Sequence, residues 1–294
     1  MNNTLIGNQL GKYQLIRLLG QGGMAEVYEA FQPGTERPVA VKVLRSYGNE
    51  TPESIARFKR EARSIAQLRH TNIIQVFDFD VDHNLYFMVM EYIRGGTLSE
   101  FIRARGALPS DEALRITIQL ADALAYAHRN GVIHRDIKPV NILFADMEHQ
   151  HPVLTDFGIA RIVNETAVTA DGRFMGSPAY LSPEVALGHP ADARSDIYGL
   201  GLTLYEMIAG RMPYSAADAT AIVMQHMNAP LPPPRQFNPD IPPAVEIVLS
   251  KALAKTRDRR YQSAEEFKRV LVRLVENLKI TNGQPTGTNG TRQI

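Results

Sequence analysis

The chain has 294 residues, 44% of them hydrophobic and 21% charged, a balance that excludes collagen-like, fibrous and wholly disordered chains. Its 32 basic and 31 acidic residues leave a net charge of +1, so there is no general basic field for nucleic acid, which is not an expected partner. Cysteine is absent, which removes disulfides, thiolate metal sites and cysteine nucleophiles and leaves His, Asp, Glu and Lys for chemistry. No stretch reaches the ~18 apolar residues of a membrane span and no apolar run follows a basic start; a cytoplasmic protein is the expectation.

In chain order, period-two alternation predicts strands at 13–19 and 25–31, joined by the turn Gly20-Gln21-Gly22-Gly23. A third strand at 37–44 sets Val39, Val41 and Val43 on one face and Ala40, Lys42 and Leu44 on the other. Apolar runs at 73–79 and 85–92 complete an antiparallel sheet, interrupted by one helix that begins near Pro52. On that helix Phe58, Glu61, Ile65 and Leu68 share a face. Glu61 thus interrupts an apolar stripe and needs solvent or a cation, and Lys42, on the inner face of its strand, is the natural partner. Two unrelated snorkelling side chains are the plainer alternative.

Beyond Gly96 the pattern turns helical, with helices expected at 110–129, 195–209, 216–227, 243–254 and 264–278 and short strands at 142–144 and 153–155. Gly199 and Gly201 inside the apolar segment 197–208 point to close packing. The expected division is an N-terminal extension 1–12, a sheet unit 13–92, a connection 93–95, a helical unit 96–280 and a polar tail or linker 281–294. Ligand sites favour such a junction.

The glycine-rich turn lets backbone N–H groups approach a phosphate, yet alone it is equally an ordinary hairpin. A strand follows it where a dinucleotide fold wants a helix, and Ala25 stands where that fold wants a third glycine. More telling is Val132-Ile-His-Arg-Asp-Ile-Lys-Pro-Val-Asn-Ile-Leu-Phe144, followed by Val153-Leu-Thr-Asp-Phe-Gly158. If the two short strands pair, Asn141 and Asp156 converge as oxygen donors for a hard cation such as Mg²⁺. Asp136 then lies one loop away, placed to accept a hydroxyl proton.

At these residues the sequence resembles protein kinases, above all the eukaryotic-like serine/threonine kinases of bacteria, over about residues 13–278. Val39-Ala-Val-Lys42, His134-Arg-Asp136 with Asn141, Asp156-Phe-Gly158 and Ser182-Pro-Glu184 occur in the family's order and with its spacing. The resemblance implies a two-lobed α+β fold, with an antiparallel N-lobe sheet, one main N-lobe helix and a mainly helical C-lobe. It also implies an ATP-dependent protein-serine/threonine kinase. Gly20, Gly22 and Gly23, with Leu19 beside them, would cover the ATP phosphates, and Lys42, held by Glu61, would bind the α- and β-phosphates. Val27, Ala40 and Leu143 would sandwich adenine, backbone groups of Glu91 and Ile93 would bond its edge, and Met90 would guard the back of the pocket. Asn141 and Asp156 would hold Mg²⁺, with Mn²⁺ as the alternative ion. Asp136 would orient and deprotonate the acceptor hydroxyl, with Lys138 near the transferred phosphate. The loop 176–180 fits the class whose partners are proteins with Ser/Thr acceptors.

Further implications concern support and regulation. His134 would pack against Phe157 with Ile65 and Val76, and Glu184 would pair with Arg260. Arg135, directly before Asp136, implies activation by autophosphorylation between Phe157 and Pro183, at Thr169 first and Thr166 second, in trans within a homodimer. Ala25 and Ser182 depart from the family pattern without removing a charge or a metal ligand. His149 and His151 lack a third ligand and read as a solvated turn. A pseudokinase scaffold and a small-molecule phosphotransferase are the rival readings; the first tends to lose the lysine, a metal ligand or the base, the second Lys138 and the Ser-Pro-Glu segment. The chain would be a complete soluble enzyme or the cytoplasmic domain of a longer membrane-anchored kinase.

Overall fold

The computed structural model describes residues 5–22, 25–34, 36–44, 60–157 and 178–283. The alternating N-terminal segments form β1 (Gln9–Leu10), β2 (Tyr13–Gln21), β3 (Ala25–Gln32), β4 (Arg37–Leu44), β5 (Val76–Asp82) and β6 (Leu85–Glu91). They make one antiparallel sheet in the order β1-β2-β3-β4-β6-β5. Val39, Val41 and Val43 pack with Tyr28, Phe87 and Val89 on one face, while Ala40 joins Met88 and Met90 on the face that meets the helical lobe. The two faces are those the alternation predicts. The helix α1, described over 60–66, buries Ile65 against this second face, and its Ala62 is buried as well. The expected start near Pro52, and Phe58, lie outside the described residues.

The fifth strand begins at Val76, three residues later than its apolar run. The backbone before it is engaged elsewhere: Ile74 N–H donates to the Leu154 carbonyl at 2.9 Å and Leu154 N–H to the Asn72 carbonyl at 2.8 Å. The Asn72 amide adds bonds to the Pro152 carbonyl and to Gln119. Residues 72–74 are thereby stitched to the lower lobe.

That lobe contains α2 (Leu98–Arg105), α3 (Ser110–Arg129), the hairpin β7 (Ile142–Phe144) and β8 (Pro152–Leu154), α4 (Ala193–Ala209), α5 (Ala219–Asn228), α6 (Pro243–Ala252) and α7 (Ala264–Gly283). No periodicity had marked α2; its signal is the capping box, in which Thr97 Oγ1 accepts the Glu100 N–H and Glu100 Oε2 accepts the Thr97 N–H. α4 starts two residues before the expected 195 because Asp192 and Ser195 form a second such box. Ile197, Leu200, Leu204, Tyr205 and Ile208 of α4 are fully buried, so this helix is the axis of the lobe. A Cβ on Gly199 would stand 3.0 Å from Ile137 Cβ and 3.1 Å from the Ile137 carbonyl, which is the close packing expected there. A short turn, Pro183–Ala186, follows Ser182. Its Glu184 accepts Nη1–H and Nη2–H of Arg260 at 2.8 and 2.7 Å, and Arg260 directs its other donors to the Ala254, Lys255 and Arg194 carbonyls. Among the described residues, no helix is long and apolar enough to cross a membrane.

Candidate active site

The loop between α3 and β7 is held from below. Asp196, in the first turn of α4 and 2% exposed, accepts the backbone N–H of His134 at 2.8 Å and of Arg135 at 2.7 Å, and meets His128 Nε2 at 2.7 Å. These bonds secure a left-handed backbone at Arg135 (φ 68°), a conformation that costs a non-glycine residue about 1–2 kcal/mol. Sequence reasoning did not single out Asp196; its signal is a carboxylate at the mouth of an apolar helix. His134 is fully buried, and its Nε2 lies 2.9 Å from the Thr155 carbonyl. A carbonyl only accepts, so Nε2 carries the proton and Nδ1 is the acceptor for the Asp136 N–H at 3.3 Å. Burial lowers the His134 pKa despite the nearby carboxylates. Its ring lies 4.4 Å from that of Phe157, in the same core as Ile65 and Val76. With its lone pair engaged, His134 supports Asp136 and is not a base.

The charged groups meet above this floor. Asp136 Oδ2 lies 2.8 Å from Lys138 Nζ and accepts from Asn141 Nδ2 at 3.0 Å; the same amide donates to the Asp136 carbonyl at 2.8 Å. Pairing of β7 with β8 puts Thr155 N–H on the Asn141 carbonyl at 2.9 Å, so Asn141 and the following Asp156 are neighbours across the hairpin. Asp156 has φ 60° and its Oδ1 stands 2.8 Å from Lys42 Nζ.

One expected contact is replaced. Lys42 pairs with Asp156, whereas Glu61 Oε2 accepts Nη1–H of Arg135 at 2.9 Å. Both members of the expected Lys42–Glu61 pair are satisfied, each by an opposite charge nearer to it. The competing cation was legible in the sequence as the residue before Asp136, but nothing in its spacing connected it to Glu61.

Val27, Ala40 and Leu143, the residues expected around adenine, all pack on the common core. Lys42, Ile65, Val76, Met88, Met90, Asp156 and Phe157 line a cavity, so that Met90, expected to guard the back of the pocket, shares it with Lys42 and Asp156. Glu91 N–H donates to the Gln75 carbonyl at 2.9 Å, so a contact from Glu91 to a ligand edge falls to its carbonyl. The connection through Ile93 ends at Gly95, whose N–H bonds the Phe144 carbonyl at 3.1 Å while Phe144 N–H bonds Gly96. A Cβ on Gly95 would lie 2.2 Å from the Phe144 carbonyl oxygen, so only glycine allows this approach. At the other rim Gly20 pairs with Val27 and Gly22 N–H closes the turn on the Ala25 carbonyl, beside the exposed Leu19. Gly23, Thr166 and Thr169 lie outside the described residues. His149 stacks on Phe101 at 4.4 Å and His151 pairs with Asp146, and among the described residues no group of three His, Asp or Glu is placed to hold a metal.

Residues 13–272 match the protein kinase domain family. The serine/threonine-protein kinase PrkC of Bacillus subtilis is 44% identical over 265 residues, covering 90% of this chain and 40% of that protein. PknB of Mycobacterium leprae is 39% identical over 279 residues, covering 93% and 44%. The solved kinase domain of Mycobacterium tuberculosis PknI matches with a TM-score of 0.72 at 32% identity, covering 91% of this chain and 98% of that one. The chain spans about 40% of the length of the curated relatives it matches. The family match extends from the first long strand through α4 into α7 and takes in the whole cleft, and on that ground the chain belongs to the protein kinase domain family.

Proposed function

We propose that the chain is the catalytic domain of an ATP-dependent protein-serine/threonine kinase, transferring the γ-phosphoryl group to Ser and Thr hydroxyls of protein substrates. The observation that carries this reading is the meeting in one cleft of Lys42 from β4, Asp136, Lys138 and Asn141 from one loop, and Asp156 after β8, linked in pairs at 2.8–3.0 Å. An amide and a carboxylate at the paired ends of a hairpin, beside an ammonium, suit a triphosphate carrying Mg²⁺ or Mn²⁺. A Cβ on Gly20 would meet no protein atom within 4 Å, so close packing at that carbon does not demand glycine there, whereas a phosphate approaching the backbone would.

When bound, the nucleotide and its ion supply the phosphoryl group and neutralise its charge. Leu19, Gly20 and Gly22, with Gly23 beside them in sequence, would cover the phosphates; Val27, Ala40 and Leu143 would flank adenine, whose edge would meet the Glu91 carbonyl and Ile93. Lys42 binds phosphate oxygens, and Asn141 and Asp156 hold the ion. Asp136 orients the acceptor hydroxyl and takes its proton, with Lys138 countering charge on the phosphoryl group. Alignment and charge neutralisation carry most of the acceleration. The turn Pro178–Tyr180 seats the acceptor segment; it is tied through Tyr180 to Glu206 of α4, the helix whose first turn holds the catalytic loop.

Activation exchanges partners: Glu61 leaves Arg135 for Lys42. A phosphate on Thr169 or Thr166, added by autophosphorylation within a homodimer, brings roughly two negative charges that compete for Arg135. The chain acts in the cytoplasm, alone or within a longer membrane-anchored kinase. Incubation with labelled ATP, Mg²⁺ and myelin basic protein is expected to label Ser or Thr, and Asp136→Asn to abolish labelling while calorimetry still registers ATP. Absence of labelling by folded, ATP-binding wild-type protein would reject the reading in favour of a scaffold.

A further inference from the structure

Behind the 178–180 turn lies a polar cluster that the chemistry above does not use. α5 packs against the turn, and its His226 is fully buried. His226 Nδ1 is 2.9 Å from the Tyr198 hydroxyl of α4, and the Tyr214 ring stands edge-on at 4.9 Å. Lys255 Nζ donates to the His226 carbonyl at 2.7 Å and to the Tyr214 hydroxyl at 2.8 Å. The Arg260 guanidinium lies 4.7 Å over the Tyr198 ring, which joins the cluster to Glu184. Among the described residues, the buried side-chain atoms without a hydrogen-bond partner include His226 Nε2 and Ser182 Oγ, which bracket the turn from α5 and from its own C-terminal side.

Hydrogen-bond accounting fixes the proton. The Tyr198 hydroxyl makes its hydrogen bond with His226 Nδ1. If Tyr198 donates, Nδ1 accepts and Nε2 carries the hydrogen; the reverse would leave both a buried phenol proton and a buried lone pair unpaired, the costlier choice. Burial, with the charge of Lys255 behind it, lowers the His226 pKa to about 4, while the Ala179 backbone pulls it upward. The ring is therefore neutral with its hydrogen on Nε2, a buried donor left without a partner on a helix that packs against the turn, with the Ala179 backbone near the ring.

We propose that His226 is a positioning residue for the phosphoryl acceptor: when a substrate segment seats on the 178–180 turn, His226 Nε2–H closes onto the Ala179 carbonyl and fixes the height of that turn. This rests on the reading of the turn as the acceptor seat. Tyr198 sets the tautomer and Lys255 anchors the backbone of α5 from behind. The donor left for the turn is Nε2, since Nδ1 is engaged by Tyr198, so the two amide replacements differ: asparagine imitates Nδ1 and glutamine imitates Nε2.

Steady-state labelling of myelin basic protein by His226→Asn, His226→Gln and Tyr198→Phe, each normalised to the fraction that binds ATP by calorimetry, tests the proposal. His226→Asn is expected to raise the acceptor KM about fivefold, the worth of one neutral hydrogen bond, with kcat and the ATP KM changed less than about twofold. His226→Gln is expected to stay near wild type, and Tyr198→Phe to fall between. If the Asn and Gln variants share the same acceptor KM, or lose kcat in parallel with melting temperature, His226 only fills space and the proposal fails. Ala179→Arg separates the premise: an unchanged acceptor KM overturns the seat itself, whereas a changed one beside a silent His226→Asn overturns only the strut.

Discussion

Replacing Arg260 by methionine tests what holds the helical lobe together. Arg260 is fully buried, its guanidinium meets both Glu184 oxygens at 2.8 and 2.7 Å, and Ser195 donates to the same carboxylate at 2.6 Å. Burial alone would raise the Glu184 carboxyl, but the Arg260 bonds and charge, with the Ser195 hydroxyl, outweigh it and hold the pKa at about 2, against 4.5 ordinarily. At about 1.4 kcal/mol per pH unit this amounts to roughly 3 kcal/mol favouring the folded state. Because the folded pKa is the lower one, the contribution is complete above the unfolded value and is lost as pH falls from 4.5 through about 2. Arg260→Met strands a buried carboxylate and three carbonyls, so the expected loss at pH 7 is about 3–5 kcal/mol, a fall in melting temperature of roughly 10 °C. Without its partner Glu184 is governed by burial, its pKa rises, and the penalty shrinks as the group protonates in mild acid. Adding Glu184→Gln to Arg260→Met is expected to restore part of the loss at pH 7. Thermal unfolding of wild type, both single variants and the double variant from pH 5 to 8 reads all of this. A penalty under about 1 kcal/mol, or one that does not move with pH, would refute the reasoning.

Three further outcomes follow from the cleft. Asp136→Asn is expected to lower kcat by about 10²–10⁴ and to leave ATP affinity nearly unchanged, read by labelled-ATP kinetics beside calorimetry; a parallel loss of binding would contradict its assignment as base. A double-mutant cycle on Glu61 and Arg135, each about one-third exposed, should give a coupling of about 0.5–1 kcal/mol in thermal unfolding. That coupling is expected to vanish in the autophosphorylated protein, and its persistence there would argue against partner exchange. Gly95→Ala places a methyl group 2.2 Å from the Phe144 oxygen and 2.6 Å from that of Asp146. It is expected to cost about 1–3 kcal/mol of stability and to weaken ATP binding; a neutral result would show that the connection is not pinned to β7.

The strands were legible where one face is wholly apolar: Val39, Val41 and Val43 alternate so regularly that the inward position of Lys42 followed, and the structure keeps both faces. The β7–β8 hairpin was equally open, since its two apolar runs are short, with Asn141 just before the first and Asp156 just after the second. By contrast α2 has too little apolar periodicity to announce itself, and only Thr97 and Glu100 mark it. The late start of β5 is a tertiary effect, as the backbone of 72–74 bonds a strand far along the chain. The partner of Glu61 was the least legible contact. Two cations lie within reach of that helix, local patterning suggests only the one on the adjacent sheet, and the choice depends on how loop and helix sit together.

The stitching of residues 72–74 to β8 has a mechanical corollary. Two chain passages join the lobes around the cleft, 72–74 and the connection pinned by Gly95, and both are fastened to the same small hairpin from opposite sides. A swing of the upper sheet would therefore turn about an axis drawn through those two fastenings, like a door hung on paired pins. Asp156 follows β8 and stays with the frame, while Lys42 of β4 turns with the door. The distance between them measures how far the door stands ajar.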